Sequence, residues 1–110
     1  MKAAAALMCA IAIGVSGSAL ARGDRVAGQA KAKQVCAACH GENGDKPLQP
    51  EYPVLSGQHE DYLAKTLKDY RSGARKNAIM SGQAQTLSNK DIDDVSAWFS
   101  SRSGPLHVKR

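Results

Sequence analysis

The stretch "VCAACHGENGD", from Val35 to Asp45, holds two cysteines separated by two residues, and a histidine follows the second cysteine directly. In a helical conformation, side chains three positions apart lie on nearly the same side of the chain. Two thiols in this arrangement can therefore reach one edge of a flat ligand, while the histidine points its ring toward the ligand's centre. The spacing thus favours a site for a planar group over an ordinary pair of structural cysteines.

The pattern Cys36-Ala37-Ala38-Cys39-His40 is the attachment signature of a c-type haem. In this interpretation Cys36 and Cys39 form the thioether links to the porphyrin, and His40 supplies one axial ligand of the iron. The predicted cofactor is one covalently bound haem c with its iron.

Other uses of a Cys-x-x-Cys pair remain open, although each fits less well. A thioredoxin-like motif begins a helix after a β-strand, whereas this motif ends a helical pattern. A zinc site needs further ligands, and only His59 and His107 remain outside the motif. A disulfide would close so short a loop that it would add little stability.

The chain begins with the features of an export signal. Lys2 is followed by an apolar run from Ala3 to Val15 and then by Ala19-Leu20-Ala21, which has the form of a cleavage site. The apolar run is shorter than the roughly 18 residues that a membrane-spanning helix needs. We therefore predict a cleaved signal peptide over residues 1–21, a mature domain over residues 22–110 without a membrane span, and a periplasmic location. Cleavage would also remove Met1, Met8 and Cys9.

Met80 is then the only methionine of the mature chain. It lies in a turn-rich segment, where a flexible side chain is less needed to fill a core, and far enough after His40 to reach the other face of a haem. These features predict Met80 as the second axial ligand. His59 is the competing candidate, although its place in the first turn of a helix favours a solvated side chain. His107 lies in the tail, where an exposed side chain is the default.

The full sequence carries 15 basic and 10 acidic side chains, and Lys2 of the leader is one of the basic ones. This moderate excess suits steering toward an acidic protein partner. Nucleic-acid binding is not predicted, because the sequence has no dense basic run interleaved with aromatic residues. So small a domain buries only a modest apolar core, and such domains often recruit a cofactor for stability.

Three helical patterns separated by long loops predict an all-α domain. The first pattern begins at Asp24 and runs to the cysteines, with Gly28 inside it. The second begins near Ser56 and ends at Gly73. The intervening stretch, residues 41–57, is interpreted as a loop.

The third helical pattern opens with Ser88 and Asp91 in a capping-box arrangement, and Gly104-Pro105 is predicted to end it. The stretch before it, residues 74–87, is interpreted as irregular. Loops of this length are uncommon in a compact domain. They are reasonable if they pack against a ligand.

The haem motif is followed in order by "PVLSGQ", "YRSGARKNAIM" and "LSNKDIDDVSAWFSS". With these segments the chain resembles a small class I (mono-haem) bacterial cytochrome c and is similar to a single domain of the cytochrome c4 type. The resemblance implies the small cytochrome c fold, with three main helices and long loops wrapped around one haem. It implies that the backbone carbonyl of Pro53 accepts a hydrogen bond from His40 and supports it as a ligand. It also implies that the first and last helices cross at Gly28 and Trp98.

Two positions depart from the pattern of this family. Related sequences often place proline two residues before the ligand methionine, and this chain has Ala78 there. The loop is therefore expected to be less rigid and the bond from Met80 to iron more labile. Thr66 stands where a glutamine is frequent, without an evident consequence.

An iron held by histidine and methionine has no open position for a substrate, and both oxidation states remain six-coordinate. The predicted function is a periplasmic one-electron carrier, not an enzyme, between a donor reductase or dehydrogenase and an acceptor oxidase or terminal reductase. A haem sensor or peroxidase-like protein with a labile methionine is the alternative. Lys31, Lys33 and Lys46 are candidates for a docking rim, although a solvated surface also accounts for them.

Overall fold

The computed structural model describes residues 23–106. The predicted signal peptide over residues 1–21, Cys9 and His107 lie outside these residues. Within residues 23–106 the chain forms α-helices joined by turns and loops, with no β-strand. The helices are α1 (Arg25–Val35), α2 (Ala37–His40), α3 (Glu60–Ser72), α4 (Ala78–Gln85) and α5 (Asn89–Ser100). The all-α prediction is confirmed, and the three longest helices correspond to the three predicted patterns.

Helices α1 and α5 begin after the N-cap residues that the sequence indicated, and side-chain hydrogen bonds stabilise both starts. The Asp24 carboxylate accepts hydrogen bonds from the amides of Val26 and Ala27 at 2.8 and 3.1 Å. These amide donors hold the pKa of Asp24 below its ordinary value. At α5, Ser88 and Asp91 form a complete capping box, with both reciprocal bonds at 3.0 Å.

The start of α3 differs from the sequence-based expectation. The helix begins at Glu60 and not near Ser56, and His59 is its N-cap residue. Gly57 has a φ of +79°, which is incompatible with a right-handed helix and so delays its start. The Ser56 amide is instead bonded to the carbonyl of Gly44 at 3.1 Å.

Two further boundaries were wrong. Residues 74–87 are not irregular throughout, because they contain α4 with Asn77 as its N-cap residue. Helix α5 ends at Ser100, four residues before Gly104. The Ser101 hydroxyl donates to the carbonyl of Trp98 at 2.6 Å, which satisfies one of the unpaired carbonyl groups at this helix end.

Helices α1 and α5 pack closely where they cross at Gly28. A Cβ atom built on Gly28 would lie 1.9 Å from the backbone oxygen of Asp94 and 3.1 Å from the Cβ of Trp98. Only a residue without a side chain permits this approach, and the contact offsets the cost of about 1 kcal/mol for glycine inside a helix. The crossing implied by the family resemblance is therefore present.

The buried core lies between α1, α3 and α5. Its cluster comprises Ala32, Leu63, Val95, Trp98 and Phe99. The Trp98 indole donates to the backbone carbonyl of Glu42 at 3.2 Å, which ties the loop after α2 to the core. Among residues 23–106, no helix is both long and apolar enough to cross a membrane.

The contact at Gly28 predicts that Gly28→Ala destabilises the protein. The added methyl group must displace the α5 backbone, and overpacking of this kind costs about 1–3 kcal/mol. Guanidinium denaturation of the haem-loaded protein, followed by circular dichroism, measures the change in the free energy of unfolding. Ala30→Gly, at an exposed position of the same helix, is the control for helix propensity alone and should cost about 1 kcal/mol. An unchanged or increased stability of Gly28→Ala would contradict the close crossing.

Candidate functional site

The two cysteines and the histidine lie on one compact turn at the junction of α1 and α2. Cys36 is the C-cap residue of α1 and the N-cap residue of α2. Its carbonyl accepts hydrogen bonds from the amides of Cys39 and His40 at 3.2 and 3.0 Å. The two cysteines are not joined in a disulfide. One backbone carbonyl therefore holds all three functional residues in a fixed relation.

Cys36 faces the protein interior. It is only partly exposed and packs against the buried core cluster. Burial raises the pKa of the Cys36 thiol to about 11, with a smaller contribution from the neighbouring Cys39. The thiol is therefore held neutral, in surroundings that suit an apolar partner.

His40 is the most clearly prepared side chain of the site. It is 6% exposed, and its Nδ1 donates to the backbone carbonyl of Pro53 at 2.9 Å. A carbonyl can only accept, so the proton of a neutral ring lies on Nδ1 and Nε2 keeps its lone pair. A buried imidazole in this tautomer, oriented by a backbone carbonyl, is suited to bind a metal through Nε2.

The loop of residues 41–59 places the Pro53 carbonyl. The carbonyl of Gly44 accepts bonds from the amides of Leu55 and Ser56 at 2.7 and 3.1 Å, which closes the loop on itself. Gly44 has a φ of +70°, and a Cβ there would lie 2.7 Å from the Phe99 ring. The loop is therefore fastened to α5 through a position where a larger residue does not fit.

At the cysteine turn the buried core gives way to partly exposed side chains. Cys36, Leu55 and Leu67 pack against the buried cluster while each remains partly exposed. The apolar surface beside the thiols and the lone pair of His40 together form a donor set and a surface suited to a haem. The residues present therefore fit this cofactor.

The structure places Met80 on a different element. It is the third residue of α4, a helix that packs against α3, and its side chain is half-buried. Its backbone amide donates to the side chain of Asn77 at 3.0 Å. The structure thus brings Cys36, Cys39, His40 and Pro53 together through α2 and the loop that follows it, while Met80 lies on α4.

The competing candidates have other surroundings. His59 is the exposed N-cap residue of α3. Its backbone amide donates a hydrogen bond to the side-chain oxygen of Gln58 at 2.9 Å. Within residues 23–106, no three His, Cys, Asp or Glu side chains cluster closely enough to hold a metal ion. The zinc interpretation thus gains nothing from the described part of the chain.

Two of the candidate docking lysines have acidic neighbours. The Lys31 ammonium lies 3.8 Å from Asp91, and the Lys33 ammonium lies 3.8 Å from Glu42. Lys46 is exposed on the loop after α2. Surface pairs of this kind contribute only about 0–1 kcal/mol, so neither pair holds its lysine strongly in place.

Sequence reasoning missed two residues near the site. The centroids of the Tyr52 and His40 rings are 6.3 Å apart, with an angle of 51° between the ring planes. No local sequence pattern predicted that these two rings lie close together. Asn77 caps α4. Its signal was available, since asparagine before a run of helix-compatible residues is a typical N-cap.

Comparison with known proteins agrees with this architecture. The family model described as cytochrome c matches residues 25–103 of the chain. Cytochrome c-554(548) of Halomonas halodenitrificans is 46% identical, and the match covers 73% of this chain and 98% of that protein.

The chain is also similar to longer cytochromes. Cytochrome c4 of Pseudomonas aeruginosa is 45% identical over 84% of this chain and 45% of its own length. The crystal structure of reduced cytochrome c4 from Pseudomonas stutzeri superimposes with a TM-score of 0.68 at 42% identity, covering 74% of this chain and 47% of that one. The chain thus spans about half the length of these cytochromes c4. It belongs to the cytochrome c family, whose members carry covalently bound haem c with iron.

Proposed function

We propose that this cytochrome is a periplasmic one-electron carrier in which Cys36 and Cys39 hold the haem through thioether bonds and His40 and Met80 are its axial ligands. The observation that carries the proposal is the hydrogen bond from His40 Nδ1 to the Pro53 carbonyl at 2.9 Å. It leaves Nε2 available on a buried ring, directly after the turn that presents both thiols. The haem supplies a one-electron couple between ferric and ferrous iron.

The residues around the site favour electron transfer over substrate chemistry. The Pro53 carbonyl fixes the ring plane of His40 and orients its free nitrogen as a metal ligand. Met80 would offer a soft thioether, which favours ferrous iron and raises the reduction potential. Two protein ligands would leave no position for a substrate, so the site supports a carrier and not an enzyme.

The N-terminal segment supports the export part of the proposal. Residues 1–21 have the charge, apolar run and small-residue end of a cleaved signal peptide. Gly23, two residues after the proposed cleavage site, lies against α5, since a Cβ atom built on it would lie 1.9 Å from the backbone oxygen of Asp93. Cleavage after Ala21 would therefore keep this contact in the mature chain.

The proposed partners are redox proteins with acidic surfaces, a reductase or dehydrogenase as donor and an oxidase or terminal reductase as acceptor. Lys31, Lys33 and Lys46 would form part of the docking rim. Their charges would speed encounter without strengthening a long-lived complex, as a transient carrier requires.

The thioether assignment predicts the mass of the mature protein. Material from the periplasm should have the mass of residues 22–110 plus one haem, and acidified organic solvent should not extract the haem. The Cys36→Ser, Cys39→Ser double variant should lose all covalent haem, because no other thiol remains after cleavage. Intact-protein mass spectrometry gives the readout. An unmodified wild-type polypeptide in the periplasm would overturn the proposal.

The axial assignment predicts that Met80→Ala abolishes the weak red to near-infrared sulfur-to-iron absorption band of the ferric protein. Its reduction potential should fall by on the order of 0.1–0.3 V, within the roughly 0.8 V range that axial ligands control. The ferrous variant should also bind carbon monoxide rapidly. His59→Ala, at the exposed competing candidate, is the matched control and should keep the band. If the wild-type ferric protein lacks the band, and His59→Ala but not Met80→Ala makes the ferrous protein bind carbon monoxide rapidly, the two assignments must be exchanged.

A further inference from the structure

The first turn of α4, which carries Met80, gains little from burial. Residues 72–79 are all exposed, and Met80 itself is half-buried. The one buried residue of α4 is Ala84, at the far end of the helix. Apolar burial therefore contributes little to holding this turn, because its stabilisation scales with the area removed from water.

Asn77 makes the hydrogen bonds that define this turn. Its side-chain Oδ1 accepts from the amides of Ile79 and Met80 at 3.1 and 3.0 Å. Its backbone carbonyl accepts from the amide of Ser81 at 2.8 Å. The amides of three consecutive residues, with Met80 in the middle, thus all donate hydrogen bonds to Asn77.

The residue after Asn77 makes these hydrogen bonds more important for the conformation of the turn. Ala78 is the first residue of α4, a position that suits proline because its amide has no partner within the helix. Asn77 has φ −158° and ψ 120°, the extended conformation that a residue before proline requires. The backbone conformation would therefore accept a proline at position 78, but this chain has alanine there. Without the ring, the hydrogen bonds to Asn77 are what restricts the turn.

We propose that Asn77 is a positioning residue for Met80: its three bonds suppress open conformations of the α4 turn and thereby set how readily an outside ligand replaces the methionine. This inference rests on the proposed axial role of Met80. Opening the turn requires that the Ile79 and Met80 amides exchange Asn77 for water, so loss of the side-chain bonds increases the open population.

Imidazole titration of the ferric, haem-loaded protein tests the inference, since imidazole binds when the methionine is released. Asn77→Ala should tighten the apparent binding of imidazole about fivefold, the factor that corresponds to loss of a typical N-cap. Asn77→Asp keeps the acceptor oxygen and should remain within twofold of wild type. Ser88→Ala removes the equivalent cap from α5, away from the methionine segment, and is the matched control. It should also leave imidazole binding within twofold of wild type.

A second variant separates positioning from general stability. In the Asn77→Ala background, Ala78→Pro should return imidazole binding toward wild type, because the ring restricts the same turn without restoring the side-chain bonds. Thermal melts complete the comparison. In Asn77→Ala the sulfur-to-iron band should disappear at a lower temperature while the loss of helical circular dichroism is shifted less. In Ser88→Ala both transitions should move together.

The possible failures are distinguishable. Equal changes in imidazole binding for Asn77→Ala and Ser88→Ala would show that Asn77 is an ordinary cap and would overturn this inference while leaving the axial assignment intact. A wild-type protein without the sulfur-to-iron band would overturn the axial assignment of Met80 and the inference together.

Discussion

The backbone contact between α1 and α5 at Gly28 is the constraint on which the rest of this structure depends. The space that a side chain would occupy is filled by the carbonyl of Asp94. The buried Asp94 carboxylate reinforces the crossing by accepting from the amide of Asp24 at 2.8 Å and from the Lys90 ammonium. Because α1 ends at the cysteine turn, this contact determines where both thiols lie relative to the core.

The two proposed axial ligands are held by different physical means. His40 is buried, its ring is bonded to the Pro53 carbonyl, and the loop that carries this carbonyl is fastened to the core. Met80 lies on a short helix whose first turn is exposed and is stabilised mainly by the polar bonds of Asn77. In the proposed site, the histidine side would be rigid and the methionine side adjustable, which would be compatible with electron transfer and would confine ligand exchange to the methionine side.

The long loop after α2 is stable because its polar groups find partners on α5 and within itself. The Trp98 indole donates to the Glu42 carbonyl, and the Gly57 amide donates to the Phe99 carbonyl at 2.9 Å. The same helix that closes the apolar core thus also receives the loop that orients His40. Packing and ligand orientation are consequently coupled through α5, whose residues from Asp94 to Phe99 are all buried.

Short-range spacing and local hydrogen bonding were enough to predict the cysteine and histidine turn, the three long helices and the caps at Asp24 and Ser88. Local patterns failed where φ at Gly57 delayed α3 and where the short helix α4 was interpreted as irregular. The close crossing at Gly28 and the partner of His40 Nδ1 were anticipated only through family resemblance. Their geometry, like the contact between Tyr52 and His40, was decided by the tertiary structure, because it joins residues distant in the chain whose approach depends on how the helices and loops pack.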